Sequence, residues 1–296
     1  MNGTGLINSR SAAGYKGGFY QLNRKPSMSR EVSRTMPTCR VNNIELYYEI
    51  TGQGIPILFI HGLGSSARDW ENQAPFFSRH FQVVTFDVRG HGRSDKPRGR
   101  YSIPLFASDT SSFMRTLNTF PAHIIGFSMG GMIAFQLAVT EPDLFRSVTA
   151  INSGPKFIFR TLKEKFPFLM RYFIVHLFGM RKMGAILGNS LFPKPAHKTL
   201  RDQFIQRWSE NDKRAYIASM NALSNWTVMD KIRTIAVPTL IISADMDYTP
   251  VAWKEFYASK ITGARVAIIH DSRHMTPFEQ PEQLNQTIMT FLSNVD

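Results

Sequence analysis

A chain of 296 residues with 43% hydrophobic content is long enough for one large domain or two small ones with a substantial core. The single cysteine, Cys39, excludes an intramolecular disulfide, and no apolar run reaches the ~20 residues that span a bilayer. The net charge of +13 is unevenly spread: residues 1–40 hold seven Lys/Arg against one Glu and residues 155–233 fifteen against five acids, whereas 41–154 are balanced and 234–296 are acidic.

In chain order, residues 1–40 are rich in Gly, Ser and Arg with little apolar periodicity, which is the composition of a disordered basic extension. Arg and Ser with few acids also suit a transit peptide, although the glycines interrupt an amphipathic helix, and Met36 is an alternative start. Without the apolar stretch of a secretory signal, and with one cysteine, a cytoplasmic location is the expectation. From residue 41 strand-like runs recur at 44–50, 57–60, 82–86, 122–125, 147–151, 239–243 and 265–269. Helix-compatible stretches lie at 66–79, 106–118, 129–140, 251–259 and 282–292. Apolar strands alternating with helices predict an α/β fold with a mostly parallel central sheet covered by helices on both faces. Residues 155–233 show no strand pattern and are rich in Phe, Met, Leu and Arg, so the core is expected from 41–154 and 234–296, with a helical cap inserted between strands.

Ser128 stands in "HIIGFSMGGMIAF", where a strand gives way to a helix. A turn this tight strains the serine backbone and leaves no room for side chains two residues away, a demand met by Gly126 and Gly130. Gly-Phe-Ser-Met-Gly there resembles the nucleophile elbow of the α/β-hydrolases. "HGLGSS" (61–66) resembles that superfamily's oxyanion loop, "FDVRGHGRSD" (86–95) its turn after the next strand, "SADMDYTP" (243–250) its acid loop and "DSRHMTPFEQP" (271–281) its histidine loop. The resemblance covers about residues 41–295 and keeps the superfamily's order Ser, Asp, His.

It implies Ser128 as nucleophile, His274 as the base that takes and returns its proton, and Asp247 as the acid that orients the imidazole. Asp245 competes with Asp247, which fits the spacing after Ala244 better. The position that bears the acid in some families reads "INSGP", without a carboxylate. The backbone amides of Leu63 and Met129 are the expected oxyanion donors. Phe127, Phe157, Phe159, Phe173 and Met275 are the expected substrate-binding side chains, although the aromatics of the insertion also suit packing of the cap onto the core.

The implied activity is hydrolysis of carboxylic esters of small-to-medium apolar substrates through an acyl-enzyme. Lactone or carbon–carbon bond hydrolysis, perhydrolysis and a non-catalytic ligand receptor are the alternatives. No clustered ligands suggest a metal, no dinucleotide or phosphate motif a cofactor, and no known module accompanies the basic segments to bind nucleic acid. The basic, aromatic cap also suits peripheral contact with an anionic membrane, with Arg171, Arg181 and Lys182 among the charges that would meet it.

Overall fold

The computed structural model describes residues 37–295, so the extension expected over 1–40 lies outside the described residues as far as Met36. Thr38–Arg40 belong instead to the first strand, β1 (Thr38–Val41), which pairs with β2 (Ile44–Thr51) antiparallel. The intervening Asn42 and Asn43 take φ of 44° and 62°. Two successive left-handed residues make the hairpin turn that matches strand twist, and asparagine tolerates the conformation best after glycine.

Then follow β3 (Pro56–Ile60), α1 (Ala74–Phe77), β4 (Gln82–Phe86), α2 (Ile103–Thr116), β5 (Ala122–Phe127), α3 (Met129–Thr140) and β6 (Phe145–Ile151). The helix expected over 66–79 is instead a 3-10 turn, Ala67–Trp70, followed by the single turn of α1. Pro75, lacking an N–H, is favoured in the first turn of a new helix and costly inside a longer one. After β6 the chain runs through β7 (Lys156–Phe157), α4 (Leu162–Leu191), α5 (Lys198–Ser209), α6 (Lys213–Leu223) and β8 (Trp226–Thr227). It returns as β9 (Thr239–Ala244), α7 (Val251–Ala258), β10 (Arg265–Ile269), α8 (Thr276–Glu279) and α9 (Pro281–Leu292).

The eight-stranded sheet has the order β1-β2-β4-β3-β5-β6-β9-β10, parallel from β4 onward. Residues of β3, β5, β6 and β9 are almost all buried, as strands covered on both faces must be. The helical insertion between β6 and β9 is closed at its neck by β7 and β8, whose Phe157 pairs with Trp226. Two-residue strands leave no periodicity to read, which is why the sequence shows none there. Within α4, Gly179 at φ 77° breaks the helix into an outer and an inner half. The inner half buries Met180, Met183, Leu187 and Leu191. A Cβ at Gly184 would come within 2.7 Å of Trp208 on α5, so glycine is what lets the two helices approach.

The turn after β4 is organised by one fully buried carboxylate. Asp87 accepts the Ala67 and Arg93 amides at 2.7 Å each, and Arg93 Nε lies 3.4 Å away. Gly92 is left-handed, and a Cβ there would fall 2.1 Å from Asp87 Oδ2. Asp87→Ala is expected to strand both amides and to lower unfolding free energy by about 3 kcal/mol, measured by urea denaturation. A loss below about 0.5 kcal/mol would show that Asp87 does not hold this turn.

Candidate functional site

The loops leaving the carboxyl ends of β3, β5, β6, β9 and β10, five successive neighbours in the sheet, converge on one edge. An open α/β sheet forms its crevice at this edge. Ser128 lies directly after β5 and caps α3, with φ 53° and ψ −113°. Its amide donates to Ile151 O on β6, while its carbonyl accepts from Gly131 N, Met132 N and Ser153 Oγ. The glycines around it exist for space. A Cβ at Gly130 would come within 2.0 Å of Ile60 O, and one at Gly126 within 2.3 Å of Gly130 O.

Ser128 Oγ lies 2.9 Å from His274 Nε2, and His274 Nδ1 lies 2.6 Å from Asp247 Oδ1. With Nδ1–H donating to the carboxylate, Nε2 is left to accept the serine hydroxyl. Asp245 points elsewhere: it accepts the Asp271 and Ser272 amides at 3.0 and 3.1 Å and so holds the loop after β10. Of the two carboxylates, Asp247 is the one that reaches the imidazole.

Beside Ser128 runs the loop after β3. A Cβ at Gly62 would stand 3.4 Å from the Ser128 Cβ, so the backbone here comes close to the hydroxyl. Met129 is the first residue of α3, where the amide has no acceptor within the helix. His61 holds the loop from below. Val88 N–H donates to its Nε2 at 2.9 Å, and its Nδ1 lies 2.8 Å from Gly62 O. Burial pushes His61 down to about 4, against the opposing Gly62 bond, so this imidazole is neutral near pH 7.

Phe127 and Met275 are buried beside the hydroxyl and imidazole, the Phe127 ring 5.2 Å from that of His274. Phe157 and Phe159 gather with Phe168 at the neck of the insertion, with ring centroids 5.1–6.3 Å apart. Phe173 is not brought to the site. It is half exposed on α4, two residues and so about 200° round the helix from Arg171. Burial raises the hydroxyl pKa values of Tyr216 and Tyr248, and Arg171 lies close enough to both to offset part of that rise.

Three participants were not evident from the sequence. Tyr248 stacks on the His274 ring at 4.4 Å. Asn152, in the "INSGP" stretch, joins three strand ends. Its amide nitrogen donates to His274 O at 2.8 Å and Thr276 Oγ1 at 2.7 Å, and its Oδ1 accepts Ala244 N at 2.7 Å. The third is Lys254 on α7. Its ammonium donates to Asp247 Oδ2 at 2.5 Å and to Thr249 O and Oγ1 at 2.6 Å, and both charged side chains are buried. In the sequence a lone lysine in a helical stretch reads as a solvated one; only a partner 7 residues away in a turn makes burial tolerable. Burial alone would raise the Asp247 carboxyl, but His274 and Lys254 outweigh it and hold the group well below the usual carboxylate range.

Comparison with known proteins agrees with this fold. A family model described as the alpha/beta hydrolase fold matches residues 55–281. A 3-oxoadipate enol-lactonase of Acinetobacter baylyi is 28% identical, over 81% of this chain and 89% of that protein. An (E)-2-((N-methylformamido)methylene)succinate hydrolase of the same organism is 27% identical, over 85% and 95%. The crystal structure of the enol-lactonase from Burkholderia xenovorans LB400 superposes with a TM-score of 0.81 at 26% identity, covering 87% of this chain and 100% of that one.

Removing one member of a buried ion pair typically costs about 3–5 kcal/mol because the other charge is left without a partner. Lys254→Met is expected to lose that much stability in urea. Combined with Asp247→Asn it should lose at least about 1 kcal/mol less than the two single losses added. Because the Asp247 pKa is depressed on folding, its contribution is present above the unfolded carboxylate value of about 4 and is lost as pH falls below it. The coupling should therefore be constant from about pH 7 to 5 and shrink in stronger acid. Additive single losses would mean that the two groups do not act as a pair.

Proposed function

The chain belongs to the α/β-hydrolase family, a hydrolase family by its relatives, and from that premise we propose that it cleaves carboxylic esters through an acyl-enzyme on Ser128. The observation that carries this reading is the chain of hydrogen bonds from Ser128 Oγ through His274 to Asp247, at 2.9 and 2.6 Å, mounted on a strained turn.

A serine hydroxyl is a weak nucleophile at neutral pH, so attack needs a base already in contact with it. His274 Nε2 takes the hydroxyl proton as Ser128 Oγ bonds to the substrate carbonyl carbon. Asp247 holds the imidazole in the required tautomer and stabilises its charged form. The negative charge on the former carbonyl oxygen is met by the amides of Met129 and Leu63, each such donor typically contributing about 2.7–4 kcal/mol to the transition state. Collapse returns the proton from His274 to the leaving alcohol. Water then repeats the cycle on the acyl-enzyme and releases the acid. Phe127 and Met275 provide an apolar wall beside the reacting atoms, which suits an apolar acyl or alcohol part. Phe157 and Phe159 reach the substrate only where it extends toward the insertion's neck.

Lactones form the second reading, because a lactone is an internal ester open to the same attack. Two relatives above 25% identity are named as enol-lactonases.

A panel of p-nitrophenyl esters of increasing chain length, a lactone panel and a fluorophosphonate label test the proposal. Short and medium esters are expected to turn over and the label to attach. Ser128→Ala should abolish labelling and cut turnover by at least about four orders of magnitude with the unfolding midpoint unchanged. Wild-type activity in this variant would remove Ser128 from the mechanism. Labelling with turnover of lactones alone would select the second reading.

The carboxylates are separated by a parallel pair of variants. Asp247→Asn is expected to reduce turnover by about four orders of magnitude, through the wrong imidazole tautomer. Asp245→Asn should cost less than about tenfold, since that carboxylate acts only through the loop it braces. Equal losses would mean that contact with His274 does not define the acid.

A further inference from the structure

The outer half of α4 carries its apolar side chains on the wrong face for a helix that merely covers a core. Leu162, Phe166, Leu169, Met170, Phe173 and Leu177 fall within an arc of about 100° at 100° per residue. All six are exposed, from 37% at Met170 to 60% at Phe166 and 83% at Leu162. The face that meets the rest of the protein is a different one, formed by Phe168, Arg171, Ile174 and the buried Val175. Phe168 sits in the aromatic cluster of the neck, and Arg171 beside Tyr216 and Tyr248. An ordinary amphipathic helix turns its apolar stripe inward, and a contiguous apolar stripe left in water marks an interaction surface.

The charges around the stripe indicate what it meets. Lys163 and Lys165, both exposed, stand on its two edges about 160° apart, and exposed Arg160, Arg181 and Lys182 lie beyond its ends. Glu164 is the one acid on the outer half, and its carboxylate is engaged by the Arg160 amide at 2.7 Å. An apolar stripe bordered by lysines is the pattern of a helix lying in a membrane interface, with its apolar face among acyl chains and its ammonium groups at the headgroups. Against a second copy of the chain, the same arrangement would bring lysine edge to lysine edge within a segment that holds fifteen basic residues and five acidic ones. An anionic lipid surface complements it.

We propose that the outer half of α4 docks the protein on the surface of an anionic bilayer. The helix lies in the interface with Leu162, Phe166, Leu169, Met170, Phe173 and Leu177 immersed. The inner face, with Arg171, stays on the protein, so of the charges expected from sequence only Arg181 and Lys182 remain available to lipid. Gly179 separates the docking half from the half buried against α5. This peripheral contact differs from a membrane span: among the described residues no helix is long and apolar enough to cross a bilayer.

The test is co-sedimentation of the full-length protein with vesicles of phosphatidylcholine containing about one third phosphatidylserine, and with phosphatidylcholine alone. Binding to the anionic vesicles is expected, at least about tenfold weaker on neutral ones and weakened again at about 0.5 M salt. Two multiple variants of the full chain separate the contributions. Lys163→Glu/Lys165→Glu and Phe166→Ser/Leu169→Ser/Leu177→Ser should each weaken anionic-vesicle binding by at least about tenfold without lowering the unfolding midpoint. Residues 1–40 keep their seven basic side chains in every variant, so undiminished binding by both variants would assign the interaction to them and overturn the proposal. It is also overturned if the wild type ignores both vesicle types, or if the serine variant only turns a dimer into a monomer.

Discussion

A serine at φ 53° and ψ −113° occupies backbone space that costs on the order of 1–3 kcal/mol to hold. Ser128 stays there because its neighbours leave it no alternative. Its amide is bound to Ile151 on one adjacent strand, and Gly130 fits against Ile60 on the other at a distance that admits no Cβ. The strain is therefore held by the middle of an eight-stranded sheet, far stronger than the turn itself. What results is a hydroxyl raised above the sheet edge at the start of a helix, with amides pointing toward it. Every other feature of the site is arranged around that fixed oxygen.

The imidazole and carboxylate that approach it come from loops after β10 and β9, which have no local reason to meet. Asn152 supplies one: from the end of β6 it binds the His274 carbonyl on one side and the Ala244 amide on the other. Lys254 supplies another by closing the open side of Asp247. A carboxylate in such a dry setting would otherwise favour protonation, and a protonated acid cannot stabilise an imidazolium. His274 and the buried lysine together thus keep Asp247 ionised, while Tyr248 covers the imidazole face.

The insertion divides its work along one helix. Beyond Gly179 the chain packs tightly on α5, through glycines that allow side chains of the neighbouring helix to reach the backbone. Before it, the helix touches the protein along a narrow strip and gives its larger apolar surface to the outside. Such an arrangement contributes little to folding stability, since burial is what apolar side chains offer to it. A surface retained at that cost is intelligible if something else covers it.

Much of this was legible before any coordinates. Strand-formers alternating with helix-formers specify a covered parallel sheet, and β4, β10 and α3 begin and end where their residue patterns do. Ser128 was legible because its flanking glycines are a local steric requirement, confined to five residues. Short local signals failed where context decided. Asn42-Asn43 folds Thr38–Arg40, expected to belong to the disordered extension, back onto β2 as a strand, and β7 and β8 are too brief to show a period. The functions of Asn152 and Lys254 were invisible because each is defined by partners in other loops, and neither residue type advertises burial. Phe173 was expected at the substrate and Arg171 at a membrane, and the structure turns each the other way, since a helix rich in both apolar and basic residues can be rotated either way. Chain order set the chemistry of each segment, whereas packing of distant segments settled which face of α4 meets the protein and which carboxylate meets the imidazole, because burial and ion pairing depend on neighbours in space.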